Sequence, residues 1–126
     1  MQRNFRLTRS EDFKRVRRDG KSYAHPLVVL IMQKNDQPHV RVGIAAGKSV
    51  GTAVYRNRTK RLLREAMRTL IPNTALRLRS TQDSASNLDL VLIARPALAS
   101  ATLTDTQNAL LNLLQRAKIL TPKDES

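Results

Sequence analysis

No cysteine occurs in the 126 residues, so neither a disulfide framework nor a thiolate metal site can be built. That absence fits a reducing compartment. Tryptophan is missing too, and two tyrosines and two phenylalanines are the only aromatics. A stacking platform of the kind carried by RNA-recognition motifs is therefore not expected. Of the two histidines, His25 stands beside Pro26 and His39 in a turn. Neither has a carboxylate at a spacing that suggests a triad or a ligand set. The ten acidic residues are scattered and adjoin only at Glu11-Asp12 and Asp124-Glu125, whereas a protein-based two-metal nuclease needs clustered carboxylates. Gly43, Gly47 and Gly51 form neither a P-loop nor a dinucleotide fingerprint, and the nearby Lys48-Ser49 is a weak match. The longest apolar run, Leu27 to Met32, is too short to span a bilayer. The segment Met1 to Arg6 lacks the apolar run of a signal peptide. The expectation is a soluble, cytoplasmic protein with no catalytic residues and no metal ligands of its own.

Positive charge is what the chain has in excess. Lysine and arginine total 23 against 10 acids, a net charge of +13 with a pI near 11.4. Residues 1–68 hold 17 basic and 5 acidic side chains, while 69–126 hold 6 and 5. Charge serving solubility alone has no reason to gather in one half; a partner bearing a dense row of phosphates supplies that reason. An anionic membrane is the weaker candidate, because no helix pairs a basic face with a Trp- or Phe-rich one.

The length suits one domain spanning 1–126, with a core of about 7–118 and a tail after 121 expected to fray. Thr8-Arg9-Ser10-Glu11 reads as a capping box opening a first helix, with Phe13 and Val16 on one face and Gly20 suited to a left-handed C-terminal position. Leu27–Met32 reads as a buried strand. Asn35 to Pro38 is turn chemistry, and Val40–Ala45 is a second strand antiparallel to the first. Gly47 and Gly51 bracket a turn before a short extended piece, Thr52–Val54. A helix near Tyr55 to Leu70 follows, stopped by Pro72. At about 100° per residue, Tyr55, Thr59, Leu62, Ala66 and Leu70 share an apolar face flanked by Leu63 and Met67. Asn57, Arg61, Arg64 and Arg68 form the opposite row with Lys60 beside them, and Arg56 and Arg58 sit at the rims. Residues 73–87 are polar, Leu88–Ala94 is a further strand, and a last helix begins near Thr104 and turns Leu110, Leu111, Leu114 and Ala117 inward. The order α-β-β-β-α-β-α implies an α+β protein, a small sheet with helices on one side.

Arginine suits phosphate through planar, bidentate hydrogen bonds. Arg56-Asn57-Arg58 at a helix start adds free backbone N–H donors to its side chains. No helix-turn-helix, zinc finger or zipper accompanies the helix, so duplex DNA is not expected. Shape and backbone recognition of a structured RNA is the better physical reading.

The stretch from Gly47 through Tyr55-Arg56-Asn57-Arg58-Thr59-Lys60-Arg61 to Glu65 closely resembles the "RNR" signature of the bacterial ribonuclease P protein family. Leu7, Phe13, Val16 and Gly20 resemble that family's first helix, and Asp89 to Arg95 its late strand. The resemblance implies an α/β sandwich with a small mixed β-sheet, like domain 2 of ribosomal protein S5, with a left-handed βαβ crossover. It implies binding to the ribonuclease P RNA subunit through Arg56, Asn57, Arg58, Lys60, Arg61, Arg64 and Arg68. It also implies a cleft for the single-stranded 5′ leader of precursor tRNA, with Phe13 and Lys48 at it. Where family members often place further cleft aromatics, this chain has Arg17, Val28 and Ile31. Hydrolysis would be carried out by the RNA with Mg²⁺. The alternative is another basic RNA-binding or ribosome-assembly protein, which shares the charge and the fold class but not the RNR stretch.

Overall fold

The computed structural model describes residues 10–34, 41–74 and 88–117, with the backbone alone for 70–74. Along the chain come α1 (Ser10–Asp19), β1 (Lys21–Ala24), β2 (Val28–Lys34), β3 (Arg41–Ala46), α2 (Ala53–Thr74), β4 (Leu88–Ala94) and α3 (Leu103–Arg116). Short 3-10 turns stand at Lys48–Val50 and Pro96–Ser100. The four strands form one sheet in the order β1-β2-β4-β3. β4 lies antiparallel to β2, with Leu30 opposite Leu92, and parallel to β3, with Ile44 beside Leu92.

β4 is the strand that organises the rest. Its sequence Leu-Asp-Leu-Val-Leu-Ile-Ala is apolar at every position but Asp89, as a central strand covered on both faces should be. On one face Leu88, Leu90, Leu92 and Ala94 join Val28 and Leu30 of β2, Leu63 and Met67 of α2, and Leu110, Leu113 and Leu114 of α3 in the main core. On the other face Val91 meets Ile31 and Val16, with Phe13, Val29 and Ile93 packed around them. α1 therefore covers one side of the sheet, and α2 with α3 the other.

The α+β class and the element order hold, but several elements differ from expectation. β2 and β3 run antiparallel without pairing, because β4 sits between them. The parallel β3–β4 pair needs a long crossover, and α2 supplies it. Helices cover both faces rather than one. The third strand of the expected order is not Thr52–Val54, since α2 already begins at Ala53; it is β1, a four-residue edge strand whose only half-buried side chain is Tyr23. Pro72 does not stop α2, which runs two residues beyond it; the fixed φ of proline is itself helical, and its missing N–H and the crowding of its ring affect only the last turns. The N-terminal capping box at Thr8, the turn at 35–38, the tail after 121 and most of the polar stretch 73–87 lie outside the described residues. α3 opens with a capping box two residues before the expected one, with Thr102 Oγ1 accepting from Asp105 N at 3.0 Å and Asp105 Oδ2 accepting from Thr102 N at 3.3 Å.

Gly20 is required for space rather than for a left-handed backbone, since Gly51 alone among the described glycines has a positive φ. A Cβ on Gly20 would lie 2.5 Å from the Val16 carbonyl, 2.7 Å from the Met32 carbonyl and 2.9 Å from Ile31 Cγ2. Two of those three atoms are backbone and cannot swing away. We expect Gly20→Ala to destabilise the protein by about 2–3 kcal/mol, since overpacking exceeds the few tenths to one gained by stiffening the unfolded chain. Urea unfolding of the two proteins checks this; a more stable variant would contradict the packing described.

Candidate nucleic-acid interface

The 22-residue α2 separates two chemistries by its periodicity. Thr59, Leu63, Ala66 and Met67 face the core, none more than 2% exposed. The Thr59 hydroxyl is satisfied within the helix, donating to the Arg56 carbonyl at 2.9 Å. Asn57, Arg61, Arg64 and Arg68 stand exposed on the opposite side, and Lys60 is half-buried. Tyr55 departs from the expected pattern, being 51% exposed, because contact with the core begins only at Thr59.

The cations of this helix are not equivalent. No hydrogen bond or ion pair with another described residue engages the side chains of Arg61 and Arg64, so both guanidinium groups are open to an external anion. Arg68 is held by Glu65, with Nη2 to Oε2 at 2.5 Å, and the same contact lowers the Glu65 carboxyl below its ordinary value. Arg58 is exposed but engaged within the protein: its Nε donates to the Ala99 carbonyl at 2.8 Å and its Nη2 to the Ala101 carbonyl at 2.9 Å. It ties α2 to the 3-10 turn that leads into α3. Arg56 is half-buried, and its Nε is enclosed with no hydrogen-bond partner among the described residues. The Arg56 amide donates to Thr52 O at 2.9 Å, so the free backbone donor expected there is already used.

The family model described as Ribonuclease P matches residues 1–118. The chain belongs to the ribonuclease P protein family. The "Ribonuclease P protein component" of an Exiguobacterium species is 38% identical over 119 residues, covering 94% of this chain and 95% of the relative. Among solved structures, a mutant of the Staphylococcus aureus RNase P protein aligns with a TM-score of 0.77 at 30% identity, over 93% of this chain and 91% of that one. The RNase P protein from Thermotoga maritima gives a TM-score of 0.68 at 30% identity, over 88% and 96%.

The residues expected at a leader cleft are not gathered in one place. Val28 is fully buried on the sheet face covered by α2 and α3, away from α1, so it lines no cleft beside that helix. The strand alternates, and one position shifts a side chain to the other face. Ile31 does face α1, but at 5% exposure it is packing beneath the helix. Phe13 is half-buried at the edge of the same cluster. Arg17, one turn further along α1, is exposed, as is Lys48 in the 3-10 turn after β3.

One cluster escaped the sequence reading. Asp89 of β4 is completely buried and faces α1. It accepts from Arg41 Nε and Nη2 at 2.9 Å each and from Arg15 Nη2 at 2.5 Å. Gln33 accepts a further bond from Arg15, and Asp12 lies 3.3 Å from Arg15 Nη2. The signal was available: a lone carboxylate in an apolar strand needs a cationic partner. Among the described residues, no group of three or more His, Cys, Asp or Glu gathers as a metal site, and no helix is long and apolar enough to cross a membrane.

Proposed function

We propose that this chain acts as the protein subunit of ribonuclease P, binding the catalytic RNA through the outer face of α2 and assisting removal of the 5′ leader from precursor tRNA in the cytoplasm. The observation that carries the RNA contact is the pair Arg61 and Arg64, exposed and without a partner among the described residues, opposite a fully buried face. A helix anchored by Thr59, Leu63, Ala66 and Met67 presents both side chains from fixed backbone positions about one turn apart, so only the side chains themselves remain to be ordered on binding. Asn57 and Lys60 add donors along the same side. In this reading Arg58 and Arg68 contribute less, because their donors are engaged within the protein. Mg²⁺ is assigned to the RNA subunit, which supplies the hydrolytic chemistry, and no DNA partner is proposed.

In the same proposal the 5′ leader runs beside α1, where Phe13 would offer an aromatic edge and Arg17, four residues on, a neighbouring cation. Phe13→Leu should narrow the ratio of precursor to mature tRNA affinity in the holoenzyme while leaving mature tRNA binding in place. An unchanged ratio would assign Phe13 to packing alone.

Competition binding tests the subunit reading. The protein should prefer ribonuclease P RNA to a ribosomal RNA fragment of equal length at the same salt. Equal affinity would favour the other reading, a general basic assembly protein.

A further inference from the structure

Tyr55 belongs neither to the core nor to the row of cations. It is 51% exposed, beside Val54 at 72%. One side of its ring nevertheless lies against the turn that precedes the helix. Gly51 adopts φ +133°, a region that favours glycine, and a Cβ there would lie 3.2 Å from Tyr55 Cδ2. The turn before α2 thus supports the ring without covering it.

Residues three and four apart are neighbours on a helix, so Tyr55, Arg58 and Leu62 form one stripe along the flank of α2. That stripe runs between the buried face and the row of Asn57, Arg61 and Arg64. Next to Tyr55 along it lies an open groove of about 410 Å³ lined by Arg58, Arg61, Leu62, Glu65 and Leu103. Its floor offers apolar Leu62 and Leu103. One wall is Arg58, whose guanidinium is already fixed by the Ala99 and Ala101 carbonyls. A supported aromatic face, an apolar floor and flanking arginines match an unpaired nucleotide, in which a flat base is joined to a phosphate. An anionic lipid surface would ask for a broader apolar face than these residues provide.

We propose that an unpaired nucleotide of the bound RNA stacks its base on Tyr55, with the neighbouring nucleotide in the groove between Arg58 and Arg61. The inference rests on the RNA-binding reading above and adds base stacking to it. It is tested by measuring the affinity of the full chain for ribonuclease P RNA across a range of salt, for wild type, Tyr55→Ala and Tyr55→Phe. Thermal melts establish that the variants fold, as an exposed position permits. Tyr55→Ala should bind roughly tenfold more weakly with an unchanged salt slope, because stacking releases no counterions. Tyr55→Phe should bind like wild type. Wild-type affinity in Tyr55→Ala would overturn the inference while leaving the RNA-binding reading intact. An equal loss in Tyr55→Phe would overturn it too, since it would assign the hydroxyl rather than the ring. Unchanged RNA affinity with loss of a wild-type dimer in sedimentation would give the surface to a second copy of the chain. Absence of RNA binding by wild type would remove the underlying reading itself.

Discussion

Replacing Asp89 with asparagine should lower stability by about 3 kcal/mol. The carboxylate is wholly buried, and both of its oxygens are engaged by Arg15 and Arg41. Removing its charge leaves two guanidinium groups facing each other across a neutral amide. Both arginines keep part of their surface in water, Arg15 at 31% and Arg41 at 22%, so they can relax outward. The effect therefore falls near the lower end of what breaking a buried pair usually costs. A loss of this size would lower the melting temperature by roughly 10 °C in a protein of this length. Arg41→Ala, which leaves Arg15 in place, should cost less, about 2 kcal/mol. The hydrogen bond to Asp89 is the first cause raising both arginines above their ordinary values. For a raised pKa the stabilisation is fully present below the unfolded value and fades only as pH climbs through the folded one, so the arginine side of the network should stay intact from neutral to moderately alkaline pH. Asp89→Asn melting like wild type would show that α1 is held by Val16 and Phe13 alone.

Changing both Arg61 and Arg64 to alanine should flatten the log–log salt dependence of RNA binding by roughly 1.5 units, since each phosphate contact contributes somewhat under one. Stability should stay near wild type, because both side chains are exposed and have no partner among the described residues. Arg58→Ala should behave oppositely. Its guanidinium serves the Ala99 and Ala101 carbonyls, so its loss should destabilise the protein by about 1 kcal/mol and change the slope by much less. The measurement is affinity between low and moderate salt, with denaturant unfolding alongside. An Arg58→Ala slope falling as far as that of the double variant would show that Arg58 leaves its carbonyls to meet the RNA. An unchanged slope in the double variant would mean that α2 does not face the phosphates.

Apolar periodicity made α2, β2, β3, β4 and α3 legible in the sequence, because each buries a stripe or a run that polar residues cannot supply. The buried face of α2 was also legible, as was the row of arginines opposite it, since burial and exposure on one helix are set by the same repeat. The limits lay where tertiary context decides. β1 carries one half-buried side chain in four, too little to mark a strand. Pairing of β4 between β2 and β3 depends on the crossover through α2, and no local pattern encodes it. Tyr55 follows the apolar repeat yet stands in solvent, because a repeat does not tell where a helix leaves its support. The same limit applies to the individual arginines. Arg58 and Arg61 look alike in sequence, and only the position of the Ala99 and Ala101 carbonyls separates a tie within the fold from a group open to a partner. Val28 and Ile31 read as equivalent apolar residues until the sheet assigned them to opposite faces.

The subunit role is tested most directly by leader cleavage from a precursor tRNA at low, physiological Mg²⁺, using a bacterial ribonuclease P RNA with and without this protein. The RNA should need the protein under these conditions, and the protein alone should cleave nothing. Cleavage by the RNA unchanged on adding the protein, or cleavage by the protein without RNA, would contradict it.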